Sequence, residues 1–145
     1  CRTIGVEYMH IQDFAEQLGK GVHDLSADTI KVFLTNTAPN AATADELADI
    51  TQIAYTNISG GVAPTITKQY TETGGTGTFA ADALVITASG AVPTFQYYGL
   101  YNDTSTGDKL ICYWDHGSAV TLATSETFTI TFGADATMGT IMTVA

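Results

Sequence analysis

Two aromatic-rich segments separated by a short polar one constrain the fold of this chain most strongly. Residues 95–101 and 109–114 contain one Phe, four Tyr and one Trp, and residues 102–108 between them are Asn, Asp, Thr, Ser and Gly. Turn residues between two β-favouring runs indicate a β-hairpin with a longer loop. Because aromatic side chains bury large apolar areas, we expect the core to form on this hairpin.

The rest of the composition also favours strands. Only 14% of the 145 residues are charged, whereas β-branched threonine and turn-forming glycine are abundant. Long charged residues, which cover helix surfaces, are scarce, so an all-β class is favoured. A chain of this length can bury about two-thirds of its unfolded surface as one unit. We therefore predict a single domain over residues 1–145.

Alternation of apolar and polar residues marks several short strands. It is clearest at residues 29–35 and 127–132, and weaker at 65–72, which we predict to be an edge strand. Apolar runs at 83–88 and 141–144 predict two more strands, and glycines at 74–77 predict a turn. About seven or eight short strands indicate a β-sandwich, barrel or jelly-roll, with the β core over residues 28–145.

Two helices are predicted from spacing. Apolar residues recur at intervals of four, three, four and three, and Gly19 and Gly21 follow as a C-terminal cap. We predict a helix over residues 1–20 that either packs on its own domain or extends as an arm onto a neighbour. Thr43 and Glu46 have the spacing of a capping box ahead of a second, short helix. The periodic residues of the first helix are Ile4, Tyr8, Ile11, Ala15 and Leu18.

The net charge of −10 and the pI of about 4.3 argue against nucleic acid as a partner, because phosphate binding needs clustered Lys and Arg. The same charge disfavours anionic membrane surfaces, and no apolar run approaches the roughly 18 residues of a membrane span. Cys112 lies in an apolar run and is predicted to be a buried small hydrophobe. Cys1 is either the first residue of a mature lipoprotein or the point at which a processed or incompletely read sequence begins.

No arrangement of residues predicts a catalytic, cofactor or metal site, and we expect no enzyme. Residues 115–118 place Asp, His and Ser side by side, but neighbours in an extended segment point to opposite faces, which opposes triad geometry. The carboxylates of Asp103 and Asp108 suit calcium less well than a hairpin tip held by side-chain-to-backbone bonds. His10, His23 and His116 lack the short spacing of a zinc site.

Several phrases together resemble small structural proteins of tailed bacteriophages, of the capsid decoration (cement) type. Taken in order they extend over about residues 14–132, most of the chain, and include no catalytic signature. They are FAEQLGKGVHDL (14–25), DTIKVFLTNTAP (28–39), LADITQI (47–53), GLYNDT (99–104), ICYWDHG (111–117) and TLATSETF (121–128).

The resemblance implies a virion protein on the capsid surface that binds the shell of major capsid protein and forms dimers or trimers. We expect the N-terminal helix and the loop at Gly60 to contact the shell, where many copies add small contact energies. Two alternatives stay open. One is a tail- or fibre-associated virion protein, and the other is a surface lipoprotein or pilus-type subunit.

Overall fold

The computed structural model describes residues 7–145, and the prediction of an all-β chain with an N-terminal helix is confirmed. Within this range there are nine strands, one α-helix and two short 3-10 helices, at Leu47–Asp49 and Ser59–Gly61. The elements are β1 (Glu7–His10), α1 (Gln12–Gly19), β2 (Ile30–Thr35), β3 (Lys68–Thr73), β4 (Thr76–Ala81), β5 (Leu84–Thr87), β6 (Val92–Asn102), β7 (Leu110–Leu122), β8 (Thr127–Ile130) and β9 (Gly139–Val144).

The strands form three antiparallel sheets in a sandwich-like arrangement. Their orders are β1-β7-β6-β2, β3-β4-β9 and β5-β8. The predicted hairpin is confirmed as β6–β7 and is longer than expected, with strands of 11 and 13 residues. The predicted edge strand is also confirmed, because β3 ends its sheet and its side chains are mostly exposed.

The core forms on the hairpin, as its aromatic content predicts. Trp114 stacks on Tyr98 at 5.6 Å between ring centroids and lies 5.6 Å from Phe132. Phe95 meets Phe128 of β8 edge to face at 5.2 Å, an arrangement that aromatic pairs prefer. These contacts bring residues that follow the hairpin in sequence onto it. Cys112 is fully buried, as predicted.

The helix predicted over residues 1–20 is wrong at residues 7–10. Residues 7–10 form β1, which pairs with β7 so that Met9 lies opposite Tyr113 and His10 opposite Cys112. An isolated helix turn is marginal in water, whereas this ladder attaches the segment to the longest strand. Ile4 and the other residues before Glu7 lie outside the described residues.

The remaining helix, α1, packs on its own domain. Phe14 is buried and lies 5.1 Å from the His23 ring, whereas Ala15 is exposed rather than on the apolar face. The predicted glycine cap is confirmed at Gly21, which has a positive φ of 75°. The amide of Gly21 donates to the Leu18 carbonyl and that of Val22 to Gln17, which is a Schellman ending.

Two further details differ from expectation. The short helix after Thr43 begins later, because Glu46 is its N-cap and Asp49 completes the capping box. The turn predicted at residues 74–77 uses only Gly74 and Gly75, since β4 already starts at Thr76. Both shifts follow from pairing, because Glu46 bridges to Lys109 and Thr76 pairs with Thr73.

Candidate functional site

The Asp115, His116 and Ser118 side chains do not form a catalytic arrangement. Asp115 Oδ1 accepts hydrogen bonds from Gln96 Nε2 at 3.0 Å and from the Gly117 amide at 2.7 Å. The His116 ring packs edge to face on Phe128 at 5.2 Å, and its buried Nδ1 has no hydrogen-bond partner in residues 7–145. Ser118 is exposed. Asp115 and His116 are neighbours in β7 and point to opposite faces, so the Asp115 carboxylate does not orient the His116 ring.

The tip of the β6–β7 hairpin is held by its own polar side chains. Asn102 Oδ1 accepts from the amides of Thr104 at 2.9 Å and Ser105 at 3.1 Å. The Ser105 hydroxyl donates to the Asn102 carbonyl at 2.8 Å and accepts from the Lys109 amide at 2.9 Å. This confirms the predicted side-chain-to-backbone bonds. No group of three or more metal-binding side chains occurs in the described range.

The structure shows different environments for the two carboxylates that the sequence suggested as calcium ligands, Asp103 and Asp108. Asp103 forms an ion pair with Lys31 at 3.4 Å. Burial and the neighbouring Asp103 carboxylate raise the pKa of Asp108 above its usual value.

A buried polar cluster that sequence reasoning missed lies beneath the tip. It consists of His23, Asp28 and Asn102, and Asn102 has no exposed surface. Asn102 Nδ2 donates to Asp28 Oδ2 at 2.6 Å and lies 3.1 Å from His23 Nδ1. Because Asn102 Oδ1 already accepts two amides, its orientation is fixed and His23 Nδ1 must be the acceptor. The cluster therefore ties the segment between α1 and β2 to the end of β6.

This arrangement requires His23 to be neutral. Protonation would place a second donor on Nδ1 against the Asn102 amide, and Nε2 is buried without a partner among the described residues. Burial lowers the pKa of His23 below its ordinary value of 6.5, and the nearby Asp28 and Asp13 carboxylates oppose this only in part. A neutral imidazole at neutral pH follows from burial.

The lowered pKa of His23 predicts a fall in stability as the pH decreases below about 6.5. In that range the unfolded chain takes up a proton that the folded chain does not, so unfolding becomes more favourable until the lower folded pKa is reached. The slope from this one group reaches at most about 1.4 kcal/mol per pH unit.

The measurement is urea denaturation between pH 7.5 and 5.0 on the wild type and His23→Gln, whose amide oxygen can still accept from Asn102. We expect the variant to lose this part of the pH dependence. His10→Gln is the control, because His10 is exposed. Equal pH profiles for the wild type and His23→Gln would contradict the assignment.

A hollow of about 370 Å³ adjoins His23 on the side of β3. Leu18, Leu25, Ser26 and Tyr70 line it together with His23 and Asp24. Its polar groups do not converge on a ligand, since His23 Nε2 is buried and Asp24 Oδ1 accepts the amides of Ser26 and Ala27 at 3.1 Å. The hollow therefore has the Asp24 carboxylate in its lining, but its polar groups are not arranged around a common point.

The loop at Gly60 has the features of a contact surface. Ser59, Gly60 and Gly61 all have positive φ angles, of 48°, 72° and 94°. Val62 follows them with 57% of its surface exposed, an unusual position for a large apolar side chain in this protein. The strained glycine turn thus presents an apolar residue to the outside.

Comparisons with protein-family models, with curated proteins and with solved structures find no match for this chain. The resemblance to phage decoration proteins therefore stays a prediction that depends on the quoted phrases. Across residues 7–145, no helix has both the length and the apolar character needed to cross a membrane.

Proposed function

We propose that this protein is a structural component of a phage virion that decorates the capsid and stabilises it by binding the shell of major capsid protein. Decoration requires exposed contact area rather than a cleft with converging polar groups. The Gly60 loop with exposed Val62 is the observation that carries the proposal, because it offers an exposed apolar anchor next to a glycine turn. Many copies on a lattice would add the energies of such small contacts.

The sequence phrases that resemble phage decoration proteins contact one another in the structure, which supports their interpretation as parts of one fold. The phrases at 28–39 and 99–104 are about 70 residues apart, yet they contact each other. Thr29 donates to Thr104 Oγ1 at 2.9 Å, and the Asp103 amide donates to the Thr29 carbonyl at 2.9 Å. The phrases that carry the resemblance therefore depend on one another in the folded chain.

The Gly60 loop is a better candidate for shell contact than α1. The apolar side of α1 is used inside the domain, where Phe14 is 3% exposed, and Glu16 and Lys20 on its outer side pair with each other. Deleting residues 1–18 would also remove β1, which pairs with β7. Substitutions on the loop therefore test the proposal more cleanly than a deletion.

We expect Val62→Asp to weaken binding to the shell by about tenfold or more, because it places a charge in a desolvated apolar contact. The measurement is co-sedimentation with shells assembled from the major capsid protein of the same genome. Val85→Asp is the matched control, since Val85 on β5 is equally exposed at 57%. We expect the control to bind as the wild type does.

Two results would contradict the proposal. One is that wild-type protein stays in the supernatant with every shell of that genome. The other is that immunogold labelling of intact virions marks the tail or fibres, which would favour the tail-associated alternative. Unchanged binding of Val62→Asp would remove the loop from the contact without removing the capsid, and equal loss in Val62→Asp and Val85→Asp would show that the effect is not specific to the loop.

A further inference from the structure

Among the described residues, the outer edge of β3 is open, whereas the outer edge of β2 is covered. The Val32 amide donates to the Pro64 carbonyl at 2.9 Å, and the Ile53 amide donates to Leu34 at 3.0 Å, so loop segments occupy the β2 edge. No other backbone segment in residues 7–145 pairs with the outer edge of β3. An open edge of six residues can pair with another chain.

The hairpin turn determines which residues of β3 direct their backbone groups outwards. Gly74 and Gly75 have positive φ angles of 61° and 89°, typical of a two-residue type I′ turn. The pair that closes such a turn, Thr73–Thr76, is hydrogen-bonded across the ladder. By alternation, the N–H and C=O groups of Lys68, Tyr70 and Glu72 point away from β4.

Neighbouring hydrogen bonds agree with this alternation. The Thr67 carbonyl accepts from Asp82, on the β4 side, at 2.9 Å. The Ile66 amide donates in the other direction, to Ile30 of β2, at 3.1 Å. Odd-numbered residues of this segment therefore face β4, and even-numbered residues face the open edge.

We propose that the outer edge of β3 pairs antiparallel with β3 of a second copy of this chain, about a two-fold axis at Tyr70. This register places Lys68 opposite the partner's Glu72, and by symmetry Glu72 opposite the partner's Lys68. Opposite charges directly across a strand pair attract. The three outward-facing residues of each copy would form six backbone hydrogen bonds.

The charge pattern selects this register. If the partner strand is shifted by one residue, its outward-facing N–H and C=O groups no longer lie opposite those of the first strand. If it is shifted by two residues, Lys68 or Glu72 lies opposite Tyr70 and both ion pairs are lost. The contacts that Lys68 and Glu72 already make within the chain leave both side chains able to form these ion pairs. Lys68 Nζ donates to the Ser26 carbonyl at 2.9 Å and retains two donors, and Glu72 accepts the Gly75 amide at 2.6 Å with one oxygen.

The side chain of Tyr70 leaves the edge accessible. It lies diagonally across the β3–β4 ladder over Gly77, so closely that a Cβ on Gly77 would collide with the Tyr70 hydroxyl. Covering a strand glycine with an aromatic ring pins the register of the sheet. Gln69, Thr71 and Glu72 are exposed, so a second strand can approach.

Sedimentation velocity over a range of concentrations tests the pairing. Lys68→Glu and Glu72→Lys each place like charges opposite one another twice per dimer, and we expect each to raise the dissociation constant by about tenfold or more. The double variant Lys68→Glu/Glu72→Lys restores both ion pairs and should return close to the wild-type value. Lys20→Glu, an exposed change on α1, is the control.

Hydrogen exchange gives a second test. The amides of Lys68, Tyr70 and Glu72 should exchange more slowly as the protein concentration rises, whereas those of Gln69 and Thr71, already bonded to β4, should not change. A protein that is monomeric at every concentration overturns the proposal, as does failure of the double variant to recover. Because this test uses the purified protein alone, a negative result would exclude the pairing of β3 without bearing on the proposed capsid binding.

Discussion

Asn102→Ala is expected to reduce the free energy of unfolding by about 3 kcal/mol or more, because the substitution removes a fully buried polar side chain and its hydrogen bonds. The side chain makes four contacts, to Asp28, His23 and the amides of Thr104 and Ser105. Its loss leaves the buried Nδ1 of His23 without this partner and removes the bonds that hold the part-buried amides of Thr104 and Ser105. Urea denaturation at pH 7 measures the change.

Asn57→Ala is the matched control for this substitution. Asn57 is half-buried and donates one side-chain hydrogen bond, to the Ala91 carbonyl at 2.8 Å. Losing it should cost about 1 kcal/mol. If Asn102→Ala costs no more than Asn57→Ala, the cluster of His23, Asp28 and Asn102 does not stabilise the fold as we argue.

Gly99→Ala is expected to destabilise the protein by about 3 kcal/mol, at the upper end for an added methyl group in a packed core. Gly99 lies in β6 between β2 and β7, opposite Phe33 and Tyr113. A Cβ at this position would collide with the Phe33 ring and would lie 2.5 Å from the Cys112 carbonyl oxygen. A ring can move, but a backbone carbonyl in the middle of a sheet cannot.

Two further variants separate these causes. Gly99→Ala combined with Phe33→Leu should recover only part of the loss, since the collision with the Cys112 carbonyl remains. Gly19→Ala is the control, because nothing lies within 4 Å of an added Cβ there, and it should be neutral or slightly stabilising. Thermal unfolding followed by circular dichroism suffices, and a wild-type melting temperature for Gly99→Ala would contradict the packing described.

The strands that sequence predicted well are those whose pattern is local. Residues 127–132 alternate cleanly and contain β8, and the aromatic hairpin is marked by its own turn residues. β1 was missed because four residues are too few to establish a period, and helical spacing through Tyr8 and Ile11 competed with it. Its identity is decided by pairing with β7, far along the chain.

The buried cluster could not be predicted for a similar reason. Asn102 follows an aromatic run and precedes Asp103, so its residue type indicates a turn, which it does begin. Asn102 also binds Asp28 and His23, which lie 74 and 79 residues earlier in the chain. A weak signal was present, since His23 and Asp28 both fall inside phrases that carry the phage resemblance.

The pairing of β1 with β7 also affects how the chain is made. His10 lies opposite Cys112, about 100 residues later, so on a ribosome the first strand emerges long before its partner has been translated. Contacts of such long range form late and slow folding, because a large loop must close first. The β6–β7 hairpin can form from residues that are close in the chain, so pairing of β1 has to wait until β7 has been made.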